Sequence, residues 1–203
     1  MIAGMLTLIV GLVLFLGIHS VRIVADGWRT RFVAGRGPLA WKGLYSVIAI
    51  AGFVLICVGF GQARQQPVLL WSPPRWTHDL AALLTLVAFI LVTAAYVPAN
   101  GIKERAKDPM VLGVKCWAAA HLMANGTLAD VVLFGSFLAW AVLDFRAVRQ
   151  RRRAGQEPAI PPARRGRTAI TVVVGVLAWM LFAFHLHQPL IGVAPFPGFH
   201  GFH

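Results

Sequence analysis

The chain has 203 residues, of which 58% are hydrophobic and 13% are charged, and its mean hydropathy is +0.72. These values exclude a disordered chain, a fibrous repeat and an ordinary soluble enzyme, because none of these classes carries so much apolar surface. The net charge of +12 would suggest a nucleic-acid partner in a soluble protein. Here the basic residues lie between long apolar runs. We therefore interpret them as topology signals and as contacts with the anionic lipid of a bilayer, and we expect no nucleic-acid binding.

Six apolar runs are candidate membrane spans, since a spanning helix needs about 20 mostly apolar residues. The first run has no basic residue before it and no small-residue cleavage site after it, so we expect an uncleaved helix. A longer apolar stretch, 109–148, is divided at the turn dipeptide Asn125-Gly126, with Thr127 as the N-cap of the helix that follows. In chain order the predicted helices cover about residues 2–24, 39–60, 76–97, 109–124, 128–145 and 168–187.

The positions of the basic residues test this layout, because cytoplasmic loops are enriched in Lys and Arg. The loops after the first, third and fifth predicted helices are all basic, whereas the opposite side has only Arg64 and Arg75. This alternation predicts an all-α, polytopic membrane protein. It is a six-transmembrane-helix bundle over residues 1–190, with both termini on the external (periplasmic) side. Residues 191–203, rich in Pro, Gly and Phe, are predicted to form a flexible C-terminal tail.

Ionisable side chains at membrane depth are costly, so each needs a structural or functional reason. His19 lies late in the first helix with Arg22 on the same face, and His121 follows three alanines in the fourth helix. One interpretation is packing, in which neutral histidines hydrogen-bond to neighbouring helices. The other is a b-type haem with His19 and His121 as axial ligands and with Arg22 and Lys115 as cations near its propionates. The residue pattern by itself leaves both interpretations open.

The other polar residues in or beside the apolar runs have simpler interpretations. We expect Asp130 and Asp144, near opposite ends of the fifth helix, to pair with neighbouring helices. The remaining histidines lie at external helix ends or in the tail: His78, His185, His187, His200 and His203. Interfacial anchoring is typical of such helix-end positions, and an outward-facing metal set is the alternative for the first three. The sequence does not assign a role to the two tail histidines.

Two motifs resemble the NnrU family. One is Gly17-Ile18-His19-Ser20 in the first helix, and the other runs from Asp108 to Gly126 through the fourth helix. The resemblance covers about residues 2 to 188. The family takes its name from bacterial loci linked to nitrite and nitric oxide reduction. The resemblance therefore implies a bacterial inner-membrane protein with an accessory or redox/gas-responsive role in denitrification-related metabolism, beside other membrane proteins of nitrogen-oxide reduction.

The resemblance also implies a cofactor, because the family contains the plant 15-cis-zeta-carotene isomerase, a membrane enzyme that uses haem b. The haem-ligating histidines of that enzyme carry over onto His19 and His121. Two positions depart from the family pattern: Asp108 stands in place of a histidine, and Ala118 in place of a cysteine of the isomerase. The alternatives are a haem-dependent isomerase or oxidoreductase acting on an apolar, polyene-like substrate, and a cofactor-free transporter or structural partner. The sequence thus leaves open whether the chain is an enzyme.

Overall fold

The computed structural model describes residues 2–196, and this part of the chain is all-helical, without a β-strand. A π-helical turn, Phe182–Leu186, separates the last two α-helices. In chain order the α-helices are α1 (Ile2–Val24), α2 (Asp26–Ala63), α3 (Trp76–Tyr96), α4 (Gly101–Ala106), α5 (Pro109–Ala124), α6 (Leu128–Arg153), α7 (Arg165–Leu181) and α8 (His187–Ile191).

Five helical segments are long and apolar enough to cross a membrane. They are Ile2–Val24, Asp26–Ala63, Trp76–Tyr96, Leu128–Arg153 and Arg165–Ile191. α5 is apolar but has only 16 residues, which is about 24 Å at 1.5 Å per residue and less than the roughly 30 Å of a hydrocarbon core. The expected membrane-embedded helical protein is therefore confirmed. Five of the six expected spans meet these criteria of length and composition, and α5 does not.

Three helices extend beyond the apolar runs that predicted them. α2 begins at Asp26 rather than near residue 39, α6 continues to Arg153 rather than 145, and α7 begins at Arg165 rather than 168. The added segments are rich in arginine, which is a good helix former, whereas hydropathy marks only the portion of a helix that lies in lipid. Helical structure at the end of the last run also continues past residue 187, to Ile191.

α2 is interrupted near one third of its length by Gly37, whose backbone has φ +84° and ψ 161°. Pro38 follows, and its fixed φ suits the first position of a new helical segment. Before the break, the rings of Trp28 and Phe32 each pack 5.9 Å from the ring of Trp41, which lies after it. The span predicted at 39–60 therefore corresponds to the part of α2 that follows this break.

The helices form two compact units that are discontinuous in sequence. The first unit comprises the chain up to Ser72 together with Asn125–Ala147. It contains α1, α2 and most of α6. The second unit comprises Pro73–Ala124 and the chain from Val148 onward. It contains α3, α4, α5, α7 and α8.

In the first unit, α1 and α2 pack with their main chains in contact. A Cβ atom added at Gly11 would lie 2.6 Å from the backbone nitrogen of Ile56, and one added at Gly52 would lie 2.7 Å from that of Phe15. Small residues permit such close approach between helices in lipid, where van der Waals packing replaces the hydrophobic effect. The glycines of this contact, which we call the glycine seam, are Gly4, Gly11, Gly52 and Gly59.

The chain after α2 is held against the start of α6 by main-chain hydrogen bonds. The N–H of Leu70 donates to the carbonyl of Gly126 (2.8 Å), and the N–H of Leu128 donates to the carbonyl of Val68 (2.9 Å). These bonds satisfy backbone groups that would be costly to leave unpaired near the lipid. They also join two segments that are about sixty residues apart in sequence.

Asp130 is buried, and its carboxylate forms hydrogen bonds at the start of its own helix. The expected pairing with a neighbouring helix is therefore wrong for this residue. Its carboxylate accepts hydrogen bonds from the backbone N–H (3.1 Å) and the hydroxyl (2.6 Å) of Thr127. The Thr127 hydroxyl in turn accepts from the backbone N–H of Asp130 at 3.3 Å. This reciprocal arrangement is a capping box, and it confirms Thr127 as the cap of α6.

In the second unit, α3 packs against both α5 and α7. A Cβ added at Gly175 of α7 would lie 2.7 Å from the Cα of Ile90 on α3. A Cβ added at Gly113 of α5 would lie almost as close to atoms of α3. The indole N–H of Trp179 on α7 donates to the hydroxyl of Thr85 on α3 at 3.0 Å. Small residues and an interhelical hydrogen bond therefore contribute to the spacing of these helices.

The first residues of the predicted tail fold back towards the preceding helix. α8 ends at Ile191, and Gly192 adopts a left-handed conformation with φ +81°. The ring of Phe196 stacks on that of Phe184 at 5.2 Å. Residues 197–203, including His200 and His203, lie outside the described residues.

Candidate functional site

His19 of the first unit is enclosed by aromatic rings from three helices. Its Nδ1 lies 2.6 Å from the carbonyl oxygen of Phe15. Because a carbonyl only accepts, Nδ1 carries the proton and Nε2 carries the lone pair. The ring centroid of His19 is 4.2 Å from that of Phe15, 5.1 Å from that of Tyr45 and 5.9 Å from that of Trp140. We call these four residues the His19 cage.

The cage contains one buried donor that lacks an acceptor. The indole Nε1 of Trp140 is shielded from solvent, and it donates no hydrogen bond within the part of the chain that the structure describes. Leaving a buried donor unsatisfied costs about 1–3 kcal/mol, so an acceptor on a bound group would stabilise this arrangement. Asp144 lies one turn further along α6.

Sequence reasoning identified His19 but missed the aromatic walls of the cage. A signal for the α6 wall exists in the sequence, because Phe137, Trp140 and Asp144 follow each other at i, i+3 and i+7 and so share one helical face. Phe137 also packs on Phe15, with ring centroids 5.7 Å apart. An aromatic stripe that ends in a carboxylate on a membrane helix is therefore a sequence signal for a site, as an intramembrane histidine is.

Arg22, predicted as a propionate contact, lies one turn beyond His19 on α1. Its Nε is 3.9 Å from the carboxylate of Asp26, and 44% of its side chain is exposed. An exposed ion pair of this length contributes little to stability.

His121 of the second unit has the same local geometry as His19. Its Nδ1 lies 2.8 Å from the carbonyl oxygen of Trp117, so Nε2 again carries the lone pair. Of the three alanines that precede it on the helix, Ala118 and Ala120 are fully buried. Lys115, the other predicted propionate contact, precedes His121 by six residues, which is about 9 Å along the axis and about 120° around it. Lys115 and His121 therefore project from different faces of α5.

The outward-facing metal set, the alternative to interfacial anchoring for His78, His185 and His187, does not form within residues 2–196. This part of the chain contains no group of three or more His, Cys, Asp or Glu side chains placed to hold a metal ion. His78 and His185 are exposed, and Nδ1 of His187 lies 2.7 Å from the carbonyl oxygen of Val193. A haem needs only one or two protein ligands, so this observation does not bear on His19 or His121.

Asp108, which departs from the family pattern, caps the start of α5 in the second unit. Its Oδ1 accepts a long hydrogen bond (3.4 Å) from the backbone N–H of Val111. Burial raises the pKa of Asp108 above its ordinary value. The Val111 N–H and the charges of Arg152 and Arg151 act in the opposite direction, and the charge of Glu157 adds to the increase.

This raised pKa predicts a pH dependence of stability. Between the ordinary and the raised pKa, the folded state binds more protons than the unfolded state, so stability falls as the pH rises through that window. Asp108→Asn keeps the capping oxygen and removes the ionisation. We expect the variant to melt a few degrees above the parent at neutral pH, with the difference shrinking as the pH falls through the window. Thermal unfolding in detergent across this range tests it, and parallel curves would contradict it.

The chain matches a family model of known proteins. A family model described as NnrU protein matches residues 7–195 and so spans nearly the whole chain, including both candidate histidines. No curated protein and no solved structure matches the chain.

Proposed function

The chain belongs to the NnrU family, and on that premise we propose that it is a haem-b-binding protein of the bacterial inner membrane. Its proposed role is accessory or redox/gas-responsive, in nitrite and nitric oxide metabolism beside other membrane proteins of nitrogen-oxide reduction. The link to nitrogen oxides rests on the loci from which the family takes its name. The role of the cofactor rests on the histidine sites.

The proposed topology has six spans, with α5 as a short sixth span and with both termini on the periplasmic side. Its support is the distribution of charge, since the basic loops all fall on one side of a six-span count. A helix of about 24 Å is accommodated by thinning the bilayer locally, at a cost of fractions of a kcal/mol per Å. Labelling of single cysteines placed in the loops, from either side of intact cells, tests this arrangement.

The observation that carries the haem proposal is the His19 cage with its unsatisfied indole N–H. The hydrogen bond from Nδ1 to the Phe15 carbonyl fixes the tautomer and ring orientation, as outer-shell bonds do for metal-ligating histidines. Aromatic walls exclude water, and the Trp140 N–H offers a donor to a bound group. His121 shares the tautomer. Haem, when bound, supplies one-electron and gas-binding chemistry at its iron. We propose both histidines as haem ligands.

An absorption spectrum tests the proposal directly. We expect the full chain, expressed with added haem and purified in mild detergent, to show a Soret band that shifts when dithionite is added. Because ligation of the haem iron would need the imidazole, we expect His19→Ala and His121→Ala each to lose or strongly shift this band. His78→Ala, which removes an exposed histidine at the start of α3, is the matched control and should leave the spectrum unchanged.

Two results would overturn the proposal. A folded, haem-replete preparation without a Soret band would return both histidines to helix packing. A Soret band that survives both substitutions would assign the haem to other ligands.

Trp140→Phe separates the role of the indole N–H from that of the ring, because it removes the donor while keeping the aromatic wall. We expect it to weaken haem retention without abolishing it.

A further inference from the structure

One end of the second unit gathers exposed cations from three parts of the chain. These residues come from α4 and the turn after it, from the end of α6 and from the start of α7. We call them the basic end, and they are Arg105, Lys107, Arg153, Arg164, Arg165 and Arg167.

Hydrogen bonds fix α4 beside the start of α7. The N–H of Gly101, at the start of α4, donates to the hydroxyl of Thr168 on α7 (2.8 Å). The N–H of Arg164 donates to the carbonyl of Ala99 (2.8 Å). At the end of α6, the segment that leads towards α7 is tied back by the ion pair from Arg151 to Glu157 (2.8 Å). The cations are thus presented by an ordered framework.

The basic end adjoins a surface that faces lipid. On α7, Ile170 is 49% exposed and Val173 is 55% exposed, and they follow Arg167 by about 4.5 Å and 9 Å along the helix axis. In a membrane-spanning helix such exposed aliphatic side chains contact acyl chains. The arginines one turn before them therefore lie at the depth of the lipid headgroups, where phosphates are found.

The charge of the basic end is poorly compensated by protein groups. Within residues 2–196, none of its six cations forms an ion pair, and Glu157 is already engaged by Arg151. Arginine presents a planar fork of donors that matches phosphate oxygens, and each cation near an anionic membrane surface adds to the attraction. Continuity with the exposed aliphatic surface favours a lipid over a soluble anionic partner.

We propose that the basic end is a binding site for anionic phospholipid, with the Arg164, Arg165 and Arg167 guanidinium groups on the headgroup phosphates. The site selects lipids such as phosphatidylglycerol over zwitterionic lipids of the same acyl composition. This selection is separate from haem binding and from the proposed metabolic role, so the failure of either of those proposals would not affect it.

The test uses the full chain reconstituted in mixed phosphatidylcholine and phosphatidylglycerol bilayers. Spin-labelled lipids of each type report the relative association constant at the protein surface. For the parent protein we expect phosphatidylglycerol to be favoured about fivefold at low salt, with the preference declining as salt screens the charges. The triple variant Arg164→Gln/Arg165→Gln/Arg167→Gln should lower the ratio towards one, because half of the six cations are removed.

Single variants keep the test decisive even where the triple variant fails to fold. Arg164→Gln, Arg165→Gln and Arg167→Gln should each reduce the preference, whereas Arg75→Gln removes the same charge at the opposite end of α3 and should leave it unchanged. Replacing the three arginines by lysine preserves the charge and should retain part of the preference. Equal association of both lipids with the parent, or a preference that the single variants leave intact, would overturn the proposal.

Discussion

Replacing Gly59 by alanine is expected to lower the free energy of unfolding in detergent by about 3 kcal/mol. A Cβ at this position would overlap the backbone nitrogen of Leu8, with the Leu8 Cα at 2.7 Å and the carbonyl carbon of Thr7 at 2.8 Å. Main-chain atoms inside a helix cannot rotate away as a flexible side chain can. α1 must therefore move away from α2, and the dispersion contacts along the glycine seam weaken together.

Gly61→Ala is the control for this experiment. Gly61 lies on the same helix two residues later, and a Cβ there meets nothing within 4 Å. Alanine is the better helix former by about 1 kcal/mol, so this variant should be as stable as the parent or slightly more stable. The pair Gly11→Ala and Gly17→Ala repeats the comparison on α1. A Cβ would contact the main chain of α2 at Gly11, whereas at Gly17 it would meet nothing within 4 Å. Equal unfolding curves within either pair would contradict main-chain contact along the seam.

Asn100→Ala is expected to destabilise the second unit by about 3 kcal/mol, because it leaves main-chain groups at the end of α3 without partners. Asn100 is 0% exposed. Its Nδ2 donates to the carbonyls of Ala94 (2.9 Å) and Val97 (2.5 Å), and its Oδ1 accepts from the N–H of Lys103 (2.7 Å). One side chain therefore closes α3 and caps α4.

Asn100→Asp separates these two duties. It keeps the acceptor for Lys103 but loses the donor and turns a carboxylate towards two carbonyl oxygens, so we expect it to be at least as destabilising as Asn100→Ala. Gln156→Ala, at an exposed position of the same unit, is the control and should stay within about 0.5 kcal/mol of the parent. Chemical unfolding of the purified chain in detergent measures all three. An Asn100→Ala protein as stable as the control would contradict the capping role.

Hydropathy and turn chemistry predict a large part of this fold. The expected bounds of α1 and α5 coincide with those of the structure, since Pro109 and Asn125-Gly126 mark the ends of α5 clearly. The break in α2 is less accessible to sequence reasoning. Gly37 requires a positive φ there, whereas many glycines in this chain serve helix packing instead. Helical extensions outside the lipid carry no hydropathy signal at all.

Of the residues in the candidate site, the sequence predicts only the histidines. Rarity at membrane depth singles out His19 and His121, but the walls around His19 come from α2 and α6, and such tertiary neighbours have no local signature. Asp130 shows the opposite case, because its partner Thr127 is three residues away and the capping pattern was already visible in the sequence. The expectation of an interhelical partner overlooked that local alternative.

The discontinuous first unit has a consequence for the order of synthesis. Its α1–α2 pair leaves the ribosome first, but the segment that completes it, Asn125–Ala147, follows only after residues 73–124. At about 5–20 residues per second, that interval lasts roughly 3 to 10 s. Throughout it, Val68 and Leu70 lack their main-chain partners and the inner surface of the pair is uncovered. The nascent α1–α2 pair must therefore remain in the membrane without its third helix until α6 has been synthesised and inserted.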